Sequence, residues 1–371
     1  MTAVDAPPDV EPAPDAEEGP PPEAGDAAPT LIERLPKLLL RWVILIVATL
    51  VIFSAFLVAK GADPASVLRS MWNTALGSPD SVGETFLAAT PILLAALAAA
   101  VPARAGLFNL GGEGQLLMGA IGAIVMADKL GGAAPSAVTL ALMGVCGAAF
   151  GAAWATIPAV LKVVTRTNEA ISSLLLNYIA GIIVTWLCFE PWKDPQSLGQ
   201  AYSRELTGPE RFPVIWGQRV HPGIFVAVAA AVVLWAVLKY TTWGFKLKVI
   251  GGNPSAARRA GLAVGGLSIA AMVVGGSMAG LGGMITVAGT EGRLRPDLLA
   301  GIGFIGFLAS WLAKHDPLKC ILSAFVLGAI AVGGSGLKIT AGLSGGAVNI
   351  LMALVLFAVL GWGSRPAAKE S

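Results

Sequence analysis

Apolar residues in this chain come in long unbroken runs rather than in alternation with polar ones. Uncharged segments cover 42–59, 85–103, 105–112 continuing past Glu113 to 127, 130–161, 170–189, 222–238, 260–290, 298–313, 320–337 and 339–364. A helix that crosses a bilayer needs about 20 mostly apolar residues, so the pattern predicts about ten transmembrane helices. Strands of a membrane barrel would alternate over about ten residues, and these runs do not. The expected fold class is an all-α polytopic membrane protein.

Composition points the same way. The 371 residues are 55% hydrophobic and 13% charged, with a mean hydropathy of +0.74. Soluble domains carry roughly 25% charged residues, which excludes a water-soluble enzyme. Charge is unevenly placed. Residues 1–30 hold eight acids, eight Pro and no Lys or Arg. Such a segment buries too little apolar surface to offset its chain entropy, so an acidic, Pro/Ala-rich disordered tail is expected there. It lacks the basic and apolar regions of a signal peptide. Residues 31–371 form the transmembrane domain, with 25 bases against 15 acids. With residue 1 in the cytoplasm, ten crossings return the C-terminus to the same side. The inner segments then hold 15 of the 25 Lys and Arg, in keeping with the positive-inside rule.

Three polar clusters break the apolar pattern. The first is Arg104-Ala-Gly-Leu-Phe-Asn-Leu-Gly-Gly-Glu-Gly-Gln115, which joins two apolar runs with no polar loop. Glu113 is an acid at membrane depth, a costly placement that calls for a cavity or a partner such as Arg104. The Gly cluster predicts a broken or re-entrant helix near 105–127. Asn109, Glu113 and Gln115 then read either as a translocation-path or gate element, or as a tight hairpin with a local Arg–Glu pair. The run at 298–313 is short for a full span and stands third from the C-terminus, as 105–127 stands third from the N-terminus. Interrupted helices in corresponding places of two halves indicate an inverted repeat.

In the second cluster, Asn168 caps the helix that follows, with Glu169 favoured near its N-terminus. Asn177 lies near mid-membrane, bonding a neighbouring helix or touching a transported solute. The third is Gly252-Asn-Pro-Ser-Ala-Ala-Arg-Arg-Ala-Gly261. Asn253 suits an N-cap, Pro254 the first helical position and Gly261 the C′ position. A helix this short needs packing or a partner to hold it. Together with Ala257, Arg258 and Arg259 it reads as a docking helix for a cytoplasmic protein, or as a basic loop that obeys the positive-inside rule. Gly301-Ile-Gly-Phe-Ile-Gly306 matches a dinucleotide-binding pattern but follows no soluble strand, so it reads as helix packing.

Other chemistry is lacking. Three Cys without C-x-x-C spacing make neither a disulfide framework nor a zinc site. His221 and His315 read as solvated run-end residues. No phosphate-binding loop and no catalytic constellation appears. A single intramembrane acid is few for an ion-coupled carrier.

Residues Ala105–Ala120 closely resemble a segment of permease subunits of bacterial ABC importers, in the branched-chain amino acid/ribose permease superfamily. Thr167-Asn-Glu-Ala-Ile-Ser-Ser-Leu-Leu-Leu-Asn-Tyr-Ile-Ala180, Pro195-Gln-Ser197, His221-Pro-Gly223 and Gly252–Gly261 are similar to its nucleoside and simple-sugar branch. The resemblance covers roughly 84–363 and leaves the tail outside. It implies a multi-pass permease of the bacterial plasma membrane that binds no cofactor or metal and no nucleic acid. Its implied partners are a second, homologous or identical permease subunit, cytoplasmic ATPases that use the ATP, and an extracytoplasmic substrate-binding protein. The helix at 253–261 would be the coupling helix. The implied cargo is a nucleoside or related sugar, with ribose-like sugars or branched-chain amino acids as alternatives; apart from the resemblance, the residues leave an ion-coupled secondary carrier as the other reading.

Overall fold

The structure, a computed structural model, describes residues 31–197, 199–217, 219–337 and 346–363; the N-terminal tail lies outside them. The chain divides into a unit Met1–Leu45, helical from residue 31, and a body Ile46–Ser371. The described residues form α1 (Leu31–Ala59), α2 (Pro64–Leu76), α3 (Pro79–Arg104), α4 (Gly112–Leu130), α5 (Ser136–Thr165), α6 (Glu169–Phe189), α7 (Gly223–Tyr240), α8 (Thr242–Gly252), α9 (Pro254–Arg259), α10 (Val264–Ile285), α11 (Ile302–Leu312), α12 (Pro317–Ser335) and α13 (Gly346–Gly363). An isolated bridge, Trp216 to Val220, is the one β contact among them.

The helix starts follow local chemistry. Asp63, Ser78, Asn168, Asn253 and Asp316 each accept a backbone N–H of the first turn of α2, α3, α6, α9 and α12. A Pro follows Asp63, Ser78, Asn253 and Asp316 at once, where its missing N–H costs nothing.

Among the described residues six helices are long and apolar enough to cross a membrane: α3, α5, α6, α7, α10 with its π-helical extension to Glu291, and α12. A seventh span results if Ile46–Ala59 and α2, bent by 116° about the turn between them, count as one. The sequence pattern does not show this bend, which runs through Gly61 at φ +77°. Nor is the 105–127 run one broken helix. Residues 105–111 are non-helical and α4 then runs unbroken.

α3 is apolar all round and buried along most of its length, as a central helix must be. It packs against α10, α11 and α12, and α10 also meets α4 and α5. Small residues let these backbones approach. A Cβ on Gly280 would stand 2.2 Å from the Gly147 carbonyl oxygen, and one on Gly283 1.8 Å from that of Leu116. Gly303 and Gly306 likewise press on Glu113 and Ala95, so the Gly301–Gly306 pattern serves packing.

The 190–222 loop folds back over the far end of α10. Ser203 and Leu294 exchange hydrogen bonds, Leu206 N–H donates to Gly292 O, and Phe212 N–H to Ala288 O. Arg204 forks onto Glu210 at 2.8 and 2.9 Å and also bonds Asp128 at the end of α4. Burial pushes the Glu210 carboxyl up, but Arg204 and the Thr207 N–H outweigh it and hold it below its ordinary value.

His221 is not solvated. It is 2% exposed, stacks on Phe212 at 5.4 Å and sits against Gly223 and Gly289, where any Cβ would overlap its ring. Its Nδ1 accepts the Gly223 N–H at 3.2 Å. Burial, aided by the Arg211 charge, pushes its pKa from 6.5 down to about 4.

Two outcomes follow from this packing. Gly280→Val forces α10 away from α5 and costs about 1–3 kcal/mol or more, whereas Gly266→Ala, with nothing within 4 Å of the added carbon, is neutral or stabilising; melting curves in detergent separate the two. For His221 the unfolded chain binds a proton that the folded chain does not between pH 6.5 and about 4. Stability is therefore full above that window and falls through it on acidification, by up to ~1.4 kcal/mol per pH unit. His221→Asn removes that part of the slope, while the Glu210 contribution, from a carboxyl held below 4.5, is lost only at lower pH.

Candidate functional site

The link between α3 and α4 turns at Gly106, φ +74°, and runs without helical hydrogen bonds to Gly111. Its backbone groups need partners, and α6 supplies them. Glu169 Oε1 accepts the Phe108 N–H at 3.3 Å and Ser173 Oγ the Leu110 N–H at 3.2 Å. Asn177 donates to Leu110 O and accepts from Gly114 N–H, both at 2.8 Å. The spacing is a matter of pitch. Four helical residues rise about 6 Å, and two extended ones about 6.6 Å, so Glu169 and Ser173 fall in register with Phe108 and Leu110. Asn177 then meets an N–H of the first turn of α4, which has no side-chain cap of its own. Lys162 pairs with the second oxygen of Glu169 at 2.6 Å.

Asn109 and Gln115, 2% and 1% exposed, face each other behind this strip. They exchange two amide hydrogen bonds of 2.9 Å, and Asn109 also donates to Ala98 O and accepts from Gly111 N–H. Every polar atom of the Asn109 amide is used within the protein, which suits a positioning role.

Glu113 does not pair with Arg104. Its Oε2 accepts the Gly301 N–H at 2.8 Å, at the positive N-terminal end of α11. The starts of α4 and α11 meet here, Gly303 touching the Glu113 backbone. In the approach to α11, Asp297 and Leu299 hold left-handed backbone at φ +59° and +64°, a strained conformation for such residues. Glu113 and Asn177 border a cavity of about 560 Å³. Its walls include Tyr178, Thr185, Trp186, Phe189 and Phe304, with the carboxylates of Glu190 and Asp297 and, among the described residues, no Lys or Arg.

The structure thus brings Asn109, Glu113, Gln115 and Asn177 into one cluster. Ser173 and Asp297 belong to it and were not singled out in the sequence. The i, i+4, i+8 spacing of Glu169, Ser173 and Asn177 was the available signal.

The second group stands apart. Asn253 Oδ1 accepts the Ala256 N–H at 2.9 Å, Pro254 opens α9, and Gly261 takes φ +82°. Ala257, 1% exposed, faces the protein, while Arg258 and Arg259 are exposed. α9 packs on α8 and α10. A Cβ on Gly251 would strike the Arg104 carbonyl oxygen, so α8 lies against the C-terminal end of α3. No group of three or more metal-ligating side chains occurs among the described residues.

The family model described as "Branched-chain amino acid transport system / permease component" matches residues 81–360, and the chain belongs to that family. It is a multi-pass membrane transport subunit and not an enzyme. It binds no cofactor of its own, and the ATP is hydrolysed by a partner ATPase. The chain is similar to a glucose ABC transporter permease protein of Haloferax volcanii, 33% identical over 85% of each. It also resembles a guanosine ABC transporter permease protein of Bacillus subtilis, 32% identical over 89% of this chain and 94% of the relative. A nucleoside ABC transporter permease protein of Lactococcus lactis is 28% identical over 81% of this chain and 85% of the relative.

Asn177→Leu leaves Gly114 N–H and Leu110 C=O unpaired at once. A loss of about 2–4 kcal/mol is expected, against ~1 kcal/mol for Ser173→Ala, both read as melting temperatures in detergent. Because the two side chains hold one segment, a double-mutant cycle shows coupling between them.

Proposed function

We propose that this chain is one of two permease subunits of an ATP-driven importer, and that its cargo is a nucleoside. The observation that carries the reading is the junction of α4 and α11 at Glu113, beside the cavity that Asn177 also borders. That cavity is half of the path, completed by the second subunit against the exposed apolar face of α6, which includes Ile171, Tyr178, Ile182 and Trp186. Glu113 and Asn177 touch the cargo or gate it, and Asn109 and Gln115 fix the segment that presents them. Aromatic walls suit a nucleobase, and carboxylates suit the hydroxyl donors of a ribose. The guanosine and nucleoside relatives support this choice. A simple sugar is the second reading, favoured by the glucose relative.

The chain crosses the bilayer ten times in this reading. α1, α3, α4, α5, α6, α7, α10, α12 and α13 are nine of the crossings. The descent through 292–301 into α11 makes the tenth, since eleven helical residues span only about 16 Å. The meeting of α4 and α11, third from either end, supports an inverted repeat. α9 lies on the cytoplasmic side with both termini and grips the ATPase through Ala256, Arg258 and Arg259. The 190–222 loop faces the substrate-binding protein, in a bacterial inner membrane.

Reconstitution with the ATPase, the second permease and the binding protein tests this. ATP-dependent accumulation of labelled guanosine or uridine is expected, with little of leucine. Ala256→Glu with Arg258→Glu is expected to cut uptake at least about tenfold by adding like charge and removing a donor, at unchanged membrane abundance. Uptake by this chain alone on a proton or sodium gradient overturns the reading.

A further inference from the structure

At the end of the helix bundle that carries α8 and α9, a second cavity of about 300 Å³ opens between the C-terminal ends of α3 and α7, the body of α8 and the start of α12. That size is at the low end for ligand cavities and fits a headgroup rather than a whole lipid. Three cations border it, Arg104, Lys239 and Lys248, against one acid, Asp316. Asp316 is already engaged, accepting the Leu318 and Lys319 N–H groups as the cap of α12. None of the three cations has a carboxylate partner among the described residues. The Nε of Arg104 is buried with no hydrogen-bond partner, a costly state for a charged donor. Lys239 lies over the Trp235 ring at 4.7 Å, and both lysines are exposed.

The walls are apolar. Trp235 and Phe245 line the cavity, Phe245 being 67% exposed. They continue into the outward face of α7, where Phe225, Val232 and Val233 are also exposed. An occupant that satisfies this place needs an anionic head and an apolar body beside it. A free phosphate offers no partner to the aromatic wall.

We infer that this cavity is a binding site for the phosphate of an anionic glycerophospholipid, clasped by Arg104, Lys239 and Lys248 with its acyl chains along α7. On the orientation of the proposed function this end is cytoplasmic, where basic pockets between helices recognise such headgroups. The site neither touches the cavity at Glu113 nor depends on the cargo.

The test is native mass spectrometry of the full chain released from micelles holding equal amounts of phosphatidylglycerol and phosphatidylcholine. With three cations against one acid, a roughly thirtyfold preference for phosphatidylglycerol adducts is expected. Lys239→Gln with Lys248→Gln, at exposed positions, should abolish the preference while leaving the melting temperature in lipid-free detergent unchanged. Lys129→Gln, at the opposite end of α4, should keep it. Equal retention of both lipids by the wild type, or an undiminished preference in the double variant, overturns the proposal. So does a rise in melting temperature with millimolar inorganic phosphate that equals the rise with phosphatidylglycerol, which would assign the cations to a free anion.

Discussion

Backbone that leaves the helix and is buried in a protein must find partners there for its N–H and C=O groups. Residues 105–111 are such a stretch, and much of this fold follows from how they are satisfied. Glu169, Ser173 and Asn177 of α6 bond Phe108, Leu110 and Gly114. α6 and the start of α4 are thereby locked in one register. That register sets Glu113 opposite the start of α11, and so determines where the cavity lies.

Such a strip works only if the surrounding helices cannot drift. A hydrogen bond weakens within a few tenths of an ångström of its best length, whereas apolar contacts between lipid-embedded helices tolerate sliding. The glycines of α10 remove that tolerance. Gly280 and Gly283 bring α5 and α4 to backbone contact, so their separation is set by main-chain atoms rather than by rotamers. α3, buried along most of its length, fills the other side. The polar strip supplies register and the small residues supply distance.

How far the sequence announced this depends on the range of each interaction. The caps at Asn168 and Asn253 are decided within three residues and are readable in the sequence, and Asp316 caps α12 by the same chemistry. That Asn109, Glu113, Gln115 and Asn177 need polar partners is legible, because polar groups in apolar runs must find them. Their partners were less so. Glu113 bonds Gly301, 188 positions away, rather than its near neighbour Arg104. Arg104 instead lies at the end of α3, against α8. His221 looked solvated because it borders a loop, yet its burial comes from Phe212 and two glycines brought together by the tertiary fold. Ala257 shows the same limit in miniature, since a six-residue helix does not declare which face it buries.

Charge at the cavity bears on the choice of cargo. A branched-chain amino acid presents a carboxylate, which calls for a cation or for free backbone N–H groups to receive it. The N–H of Gly301, at the start of α11, is already taken by Glu113, and no Lys or Arg lines the cavity among the described residues. Three carboxylates do. Like charges repel, so these walls offer an amino-acid carboxylate no counter-charge, while they would receive its ammonium. An uncharged polyol or nucleoside offers hydroxyl donors to those oxygens and a flat or apolar face to Tyr178, Trp186 and Phe304. Family membership alone does not distinguish these cargoes, because its description spans branched-chain amino acid transport; the charge on the wall supports the uncharged cargo proposed above.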